Sequence, residues 1–131
     1  MARKIQPYIL TATLTGFAVL LIGTSFSAAS GAQDNSGKAL FEKRCGGCHA
    51  LDRDKEGPRL GGVYGRTAGT LDSFQYSDAL KKSKVVWSEA TLDRWLTNTE
   101  GLVPNNDMTY HVEKADERRE IIAYLKQSSG K

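Results

Sequence analysis

Apolar residues in this chain fall into one long uncharged run at the start and short stripes spaced three and four apart further on. The stripes predict three helices. The first covers about Ser36 to Cys45, where Asp34, Asn35 or Ser36 can cap and Leu40 and Phe41 share a side. The second follows Trp87, with Ser88 as cap and Leu92, Trp95 and Leu96 at the i, i+3, i+4 spacing of one buried face. The third spans about Lys114 to Gln127, with Ile121, Ile122, Tyr124 and Leu125 as its stripe and Asp116 and Glu117 suited to its first turn. A glycine-rich stretch, Gly57 to Thr70, separates the first two. No run alternates cleanly enough to propose a sheet, and no internal repeat is present.

The opening segment has a different character. After Met1-Ala2-Arg3-Lys4 no charge appears until Asp34, Ile9 to Ile22 is mostly apolar, and small residues follow from Ser25 to Ala32. A charged start, greasy middle and small-residue cleavage zone describe a secretory signal. Residues 1–32 are therefore expected to be a signal peptide, cut after Ala29 or Ala32, with a single domain over 33–131. The alternative is an uncleaved anchor, since Ile9 to Ala29 matches the roughly 20 residues a bilayer requires. Either way the domain is expected outside the cytoplasm, in the periplasm or on the periplasmic face of the inner membrane.

Charge narrows the partners. Removing Arg3 and Lys4 from the 18 basic residues leaves 16 against 15 acidic ones, all of which lie at or beyond Asp34. A nucleic-acid binder would be strongly and locally basic, so that class is set aside. Lys38, Lys43 and Arg44, and Lys81, Lys82 and Lys84, are the clusters that could steer a protein partner.

The chemistry is concentrated in Cys45-Gly46-Gly47-Cys48-His49, which uses both cysteines of the chain. Two thiols three positions apart can form thioethers with the two vinyl groups of a haem. The imidazole that follows then lies beneath the iron, which makes the run the attachment signature of c-type haem. A redox-active dithiol is an alternative, but such sites follow a strand and nothing strand-like precedes Cys45. Zinc is another, but a closed zinc site needs four ligands. The second histidine, His111, is far along the chain and reads as a surface residue. A haem iron bound by His49 also needs a sixth ligand, and Met108 is the one methionine beyond Met1. Its thioether would favour reduced iron and raise the potential. Met108 lies in a polar segment from Gly101 where Pro104, Asn105 and Asn106 oppose a regular helix, a poor place for core filler.

With these residues in view the chain resembles a class I cytochrome c of the mitochondrial and bacterial cytochrome c2 type, from about Gly37 to Leu125. Gly37 and Phe41 match the family's glycine and aromatic in the first helix, facing Ile121 and Tyr124 in the last. Gly57-Pro58-Arg59-Leu60 matches the segment whose proline carbonyl bonds the ligating histidine. Arg66, Tyr76 and Trp87 fall where the family surrounds its haem propionates, and Pro104 precedes Met108 by the family's four positions. Several positions depart from the pattern. The loop between His49 and Pro58 is shorter, Trp95 stands for a tyrosine, Asn105 and Asn106 for a glycine and a threonine, and Asp107 for a lysine.

The resemblance implies a small all-α fold of three main helices and loops wrapped around one covalent haem c with its iron. It implies His49 and Met108 as iron ligands, with Cys45, Cys48, Pro58, Arg66, Tyr76 and Trp87 binding the cofactor. It further implies a soluble, monomeric one-electron carrier rather than an enzyme. Such a carrier would dock transiently on membrane or periplasmic redox proteins of a respiratory or photosynthetic chain, through a haem edge near Cys48 and Tyr110.

Overall fold

A computed structural model describes residues 30–130 of the chain. The expectations for a signal peptide, its cleavage sites or an anchor lie in residues 1–29 and around them, outside or at the margin of what is described. Five helices occur in order: α1 (Ser30–Arg44), α2 (Asp78–Lys82), α3 (Glu89–Thr97), α4 (Thr99–Leu102) and α5 (Ala115–Ser128). Among the described residues no helix is long and apolar enough to cross a membrane.

The three predicted helices are α1, α3 and α5. α1 begins six residues earlier than expected, at Ser30. The polar residues Asp34, Asn35 and Ser36 can cap a helix but are also tolerated within one, so they did not mark its start. α3 starts where its cap predicts. The Ser88 hydroxyl accepts from the Thr91 N–H at 3.3 Å, and the Thr91 hydroxyl oxygen accepts from the Ser88 N–H at 2.7 Å. This reciprocal pair satisfies two donors that the first turn would otherwise leave open. The two short helices were not read from the sequence, because one turn is too brief to show a period. α4 occupies the start of a segment expected to be irregular, with the Asn98 side chain capping the Gly101 N–H at 2.9 Å, and it ends before Pro104.

α1 and α5 cross tightly, and the reason is Gly37. A methyl group there would stand 2.5 Å from the Glu120 carbonyl oxygen and 2.9 Å from Tyr124 Cβ. One turn on, Phe41 packs against Tyr124 with ring centroids 5.5 Å apart. Ile121 beside them is wholly buried, and burying such a side chain contributes about 1.5–3 kcal/mol. Arg44 closes the end of the crossing with a forked pair to Glu117, Nε–Oε2 2.9 Å and Nη2–Oε1 3.1 Å.

α3 lays Leu92, Trp95 and Leu96 into the same core. Arg118 of α5 holds it there, donating to Asp93 at 2.7 Å and to the carbonyls of Val112 and Glu113 at 2.9 and 2.8 Å. The only extended pairing among the described residues is an isolated bridge, Thr67 to Val86. It folds the glycine-rich stretch back over the core, and Gly62, Gly65 and Gly69 supply its left-handed backbone turns.

Candidate haem site

The turn that carries both thiols grows directly out of α1. The Cys45 and Gly46 N–H groups donate to the Phe41 carbonyl at 2.7 and 3.0 Å, and those of Cys48 and His49 donate to the Cys45 carbonyl at 3.1 and 2.8 Å. The helix is thus prolonged as a coiled turn, with both thiols and the imidazole on it. Burial and the neighbouring Cys48 push the Cys45 thiol up to about 11, while Cys48 is exposed. Backbone bonds from the Gly57 N–H to the Cys48 carbonyl (2.8 Å) and from Leu60 to Ala50 (2.8 Å) bring the following loop back alongside the turn.

That return places Pro58 against His49. The His49 Nδ1–H donates to the Pro58 carbonyl oxygen at 2.7 Å. A carbonyl can only accept, so the proton is on Nδ1 and the Nε2 lone pair is free, the arrangement a metal-ligating histidine needs. Burial holds the imidazole below its ordinary pKa, with the Pro58 bond opposing and the Lys55 cation adding to the lowering. The ring is therefore neutral near pH 7. Gly57 leaves it room: a Cβ there would meet ring atoms at 2.2–2.8 Å.

Met108 is half-buried against the core and is held through its backbone. The Thr99 hydroxyl donates to its carbonyl at 2.6 Å, and its N–H donates to the Asn106 side-chain oxygen at 2.8 Å. Asn106 in turn donates to the Val103 carbonyl at 2.9 Å, while the Glu100 carboxylate accepts from the Asn105 N–H at 3.0 Å. Asn105 has φ +61°, a left-handed turn that asparagine tolerates better than most side chains. The two asparagines that depart from the family pattern therefore build the loop that presents Met108. Thr99 and Glu100 were missed in the sequence; the Asn-Asn pair beside Met108 was the available signal.

Arg66 and Trp87 are joined by the isolated bridge: the Trp87 N–H donates to the Arg66 carbonyl at 2.9 Å. Trp87 is buried against Trp95, with centroids 5.3 Å apart. Tyr76 packs edge-on against Phe74 at 4.9 Å, and its phenol is raised above the usual tyrosine range by burial, with the Arg66 cation opposing. Of the three residues expected around the propionates, Arg66 and Trp87 are thus joined directly, and the Tyr76 phenol lies within range of the Arg66 charge. Arg44, by contrast, is committed to Glu117 and is less available as a docking cation than its exposed neighbour Lys43.

These residues fit a covalent haem on three counts. The thiols and a pre-set Nε2 lie on one turn. Leu51, Leu60, Leu80, Leu102 and Met108 are only partly buried against the core, which leaves apolar surface for a porphyrin to cover. Arg66 is half-buried, bonded only to the Gly61 and Arg59 carbonyls at 3.2 Å, and no carboxylate among the described residues pairs with it. A guanidinium in that state suits an acidic group of a cofactor. The zinc reading loses its ligands, because no three His, Cys, Asp or Glu side chains among the described residues converge on a metal position. The dithiol reading loses its strand.

A small helical domain with a Cys-x-x-Cys-His turn, a proline-bonded histidine and partly exposed apolar residues on its core defines a c-type haem protein of class I architecture. The family model "Cytochrome c" matches residues 35–129, and the chain belongs to that family. It is 40% identical over 97 residues to cytochrome c of Chlamydomonas reinhardtii, covering 71% of this chain and 87% of that protein. Against cytochrome c 2.1 of Caenorhabditis elegans the identity is 42% over 98 residues, covering 72% and 88%. Cytochrome cH from Methylobacterium extorquens superposes with a TM-score of 0.67 at 36% identity, covering 72% of this chain and 97% of that one. Like its family, the chain binds covalent haem c with iron, with Cys45 and Cys48 present at the Cys-x-x-Cys-His spacing, and it is an electron carrier.

Proposed function

We propose that the protein is an exported one-electron carrier whose iron is held between His49 and Met108 and which shuttles electrons between complexes of a respiratory or photosynthetic chain. The observation that carries the ligand assignment is the His49–Pro58 bond of 2.7 Å, which leaves Nε2 free, together with a Met108 backbone pinned on both sides. The haem supplies a reversible one-electron change. The protein's part is to keep its surroundings the same in both oxidation states. His49 cannot rotate without losing Pro58 or striking Gly57, and Met108 is tied to Thr99 and Asn106. Arg66, Tyr76 and Trp87 are positioned to neutralise and hydrogen-bond the propionates, where an unpaired buried charge would be costly.

With His49 and Met108 both holding the iron, substrate chemistry there would be disfavoured, so the reading is a carrier and not a peroxidase. Exchange runs through the edge near the exposed Cys48 and Tyr110, in transient complexes at the small end of interface size. Residues 1–32 are read as an export signal, which places the mature protein in the periplasm.

The ligand assignment is tested with Met108→Ala. The parent should show the sulfur-to-iron absorption band at the red end of the visible spectrum, and the variant should lose it, turn high-spin and gain peroxide turnover. A parent without that band, or a variant that keeps it, overturns the assignment. The mass of the purified native protein tests export; retention of residues 1–29 would favour the anchored form.

A further inference from the structure

The loop between His49 and Pro58 is short, and it brings a cation to the histidine side of the site. The Lys55 N–H donates to the Gly57 carbonyl at 2.9 Å, and the Gly57 N–H donates to the Cys48 carbonyl at 2.8 Å. This closes the loop over the cysteine turn. From there the Lys55 ammonium reaches back and donates to the Gly46 carbonyl, between the two cysteines. Two of its acidic neighbours are engaged elsewhere, Asp52 with Arg53 and Asp54 with the Arg59 N–H at 2.8 Å, and the adjacent Glu56 makes no ion pair with it. Among the described residues no carboxylate pairs with Lys55. A full positive charge is thus fastened to the turn that carries the thiols and His49. The loop that carries it also lies against the ring, since Gly57, whose carbonyl accepts the Lys55 N–H, sits so close that a Cβ there would meet His49 atoms at 2.2–2.8 Å.

We propose that Lys55 is a positioning residue of the haem centre, its ammonium fastened to the Cys45–His49 turn so that a fixed positive charge beside His49 holds the reduction potential up. The proposal rests on His49 as an iron ligand. Reduction adds one electron and lowers the charge of the iron by one. A nearby cation therefore disfavours the oxidised form more than the reduced form. Exposed charges are strongly screened by water and salt, which is why most surface lysines would matter little. Lys55 differs because its hydrogen bond fixes it to the turn that carries His49, whose imidazole is partly shielded from water.

The experiment is potentiometric titration of the haem-loaded protein at low and high ionic strength, for Lys55→Arg, Lys55→Gln and Lys55→Glu. Lys55→Gln should lower the midpoint potential, Lys55→Glu should lower it further, and Lys55→Arg should stay near the parent. The differences should shrink as salt is raised, because screening acts on charge and not on shape. A Lys55→Glu potential equal to the parent at low salt overturns the proposal. So does a Lys55→Arg shift as large as that of Lys55→Gln, which would mean that loop geometry and not charge is responsible. Failure of the underlying reading is seen separately: if His49 is not an iron ligand, His49→Ala leaves the visible haem spectrum unchanged, whereas the Lys55 variants shift the potential and leave the spectrum as in the parent.

Discussion

Replacing Gly57 with alanine tests the geometry on which the ligating histidine depends. The added Cβ would lie 2.2 Å from His49 Cε1, 2.7 Å from Nδ1 and 2.8 Å from Nε2, so a whole edge of the ring is struck. Gly57 does not have the positive φ that would strain alanine, and the effect is therefore steric. Ordinary carbon contact is about 3.5–4.0 Å, so ring or loop must withdraw by roughly 1.3 Å. If the ring yields, the 2.7 Å bond to Pro58 is stretched beyond hydrogen-bonding range. If the loop yields, the 2.8 Å bond from Gly57 to Cys48 is lost instead. An unsatisfied buried partner costs about 1–3 kcal/mol, and the overpacking about 1–3 more. The expected loss is therefore about 2–6 kcal/mol, or at least ~8 °C in Tm for a domain of this size. Guanidinium unfolding of the haem-loaded protein, followed at the haem band, measures it. A variant within about 0.5 kcal/mol of the parent, the range of neutral surface changes, would refute the claim that Gly57 exists to seat the imidazole.

The other expectations concern packing, a buried cation and pH. Gly37→Ala gains about 1 kcal/mol of helix propensity but drives a methyl to 2.5 Å from a backbone carbonyl; overpacking of about 1–3 kcal/mol should win, and thermal denaturation should show a lower Tm. Arg118→Gln removes the charge held by Asp93 and weakens the bonds to two carbonyls, for an expected loss of about 2–3 kcal/mol. Asp93→Asn should cost less, because Arg118 keeps the carbonyls; denaturant unfolding of both variants checks the order. Tyr76 has its pKa raised by burial, so its contribution is intact below the ordinary tyrosine value of about 10 and is lost as pH rises from there through the folded value. Stability of the parent should therefore fall more steeply above pH 10 than that of Tyr76→Phe, as read from denaturation midpoints against pH.

What could be read from the chain and what could not divides along a physical line. The Cys45–His49 run fixes its own chemistry, because thioether attachment and the adjacent ligand need only neighbours in sequence. The stripes on α3 and α5 were legible for the same reason: three or four turns of helix repeat often enough to reveal a buried face. Ser88 announced the start of α3, since a cap acts within one turn. α2 and α4 are short turns without a period, and nothing local distinguishes the start of α1 from a cap four to six residues later. The family resemblance placed Pro58, Arg66, Tyr76, Trp87 and Met108, but not the atoms that make them effective.

Those came from distant segments meeting. The tautomer of His49 depends on Pro58 arriving within 2.7 Å, the unpaired state of Arg66 on which carbonyls surround it, and the hold on Met108 on Thr99 reaching it across a loop. Arg44 looked like a free surface cation until Glu117, on the far helix, was seen to take it. Local sequence determines which bonds an element can offer. Only the packed chain decides which offers are met, because desolvation and hydrogen-bond geometry depend on groups far apart along the chain.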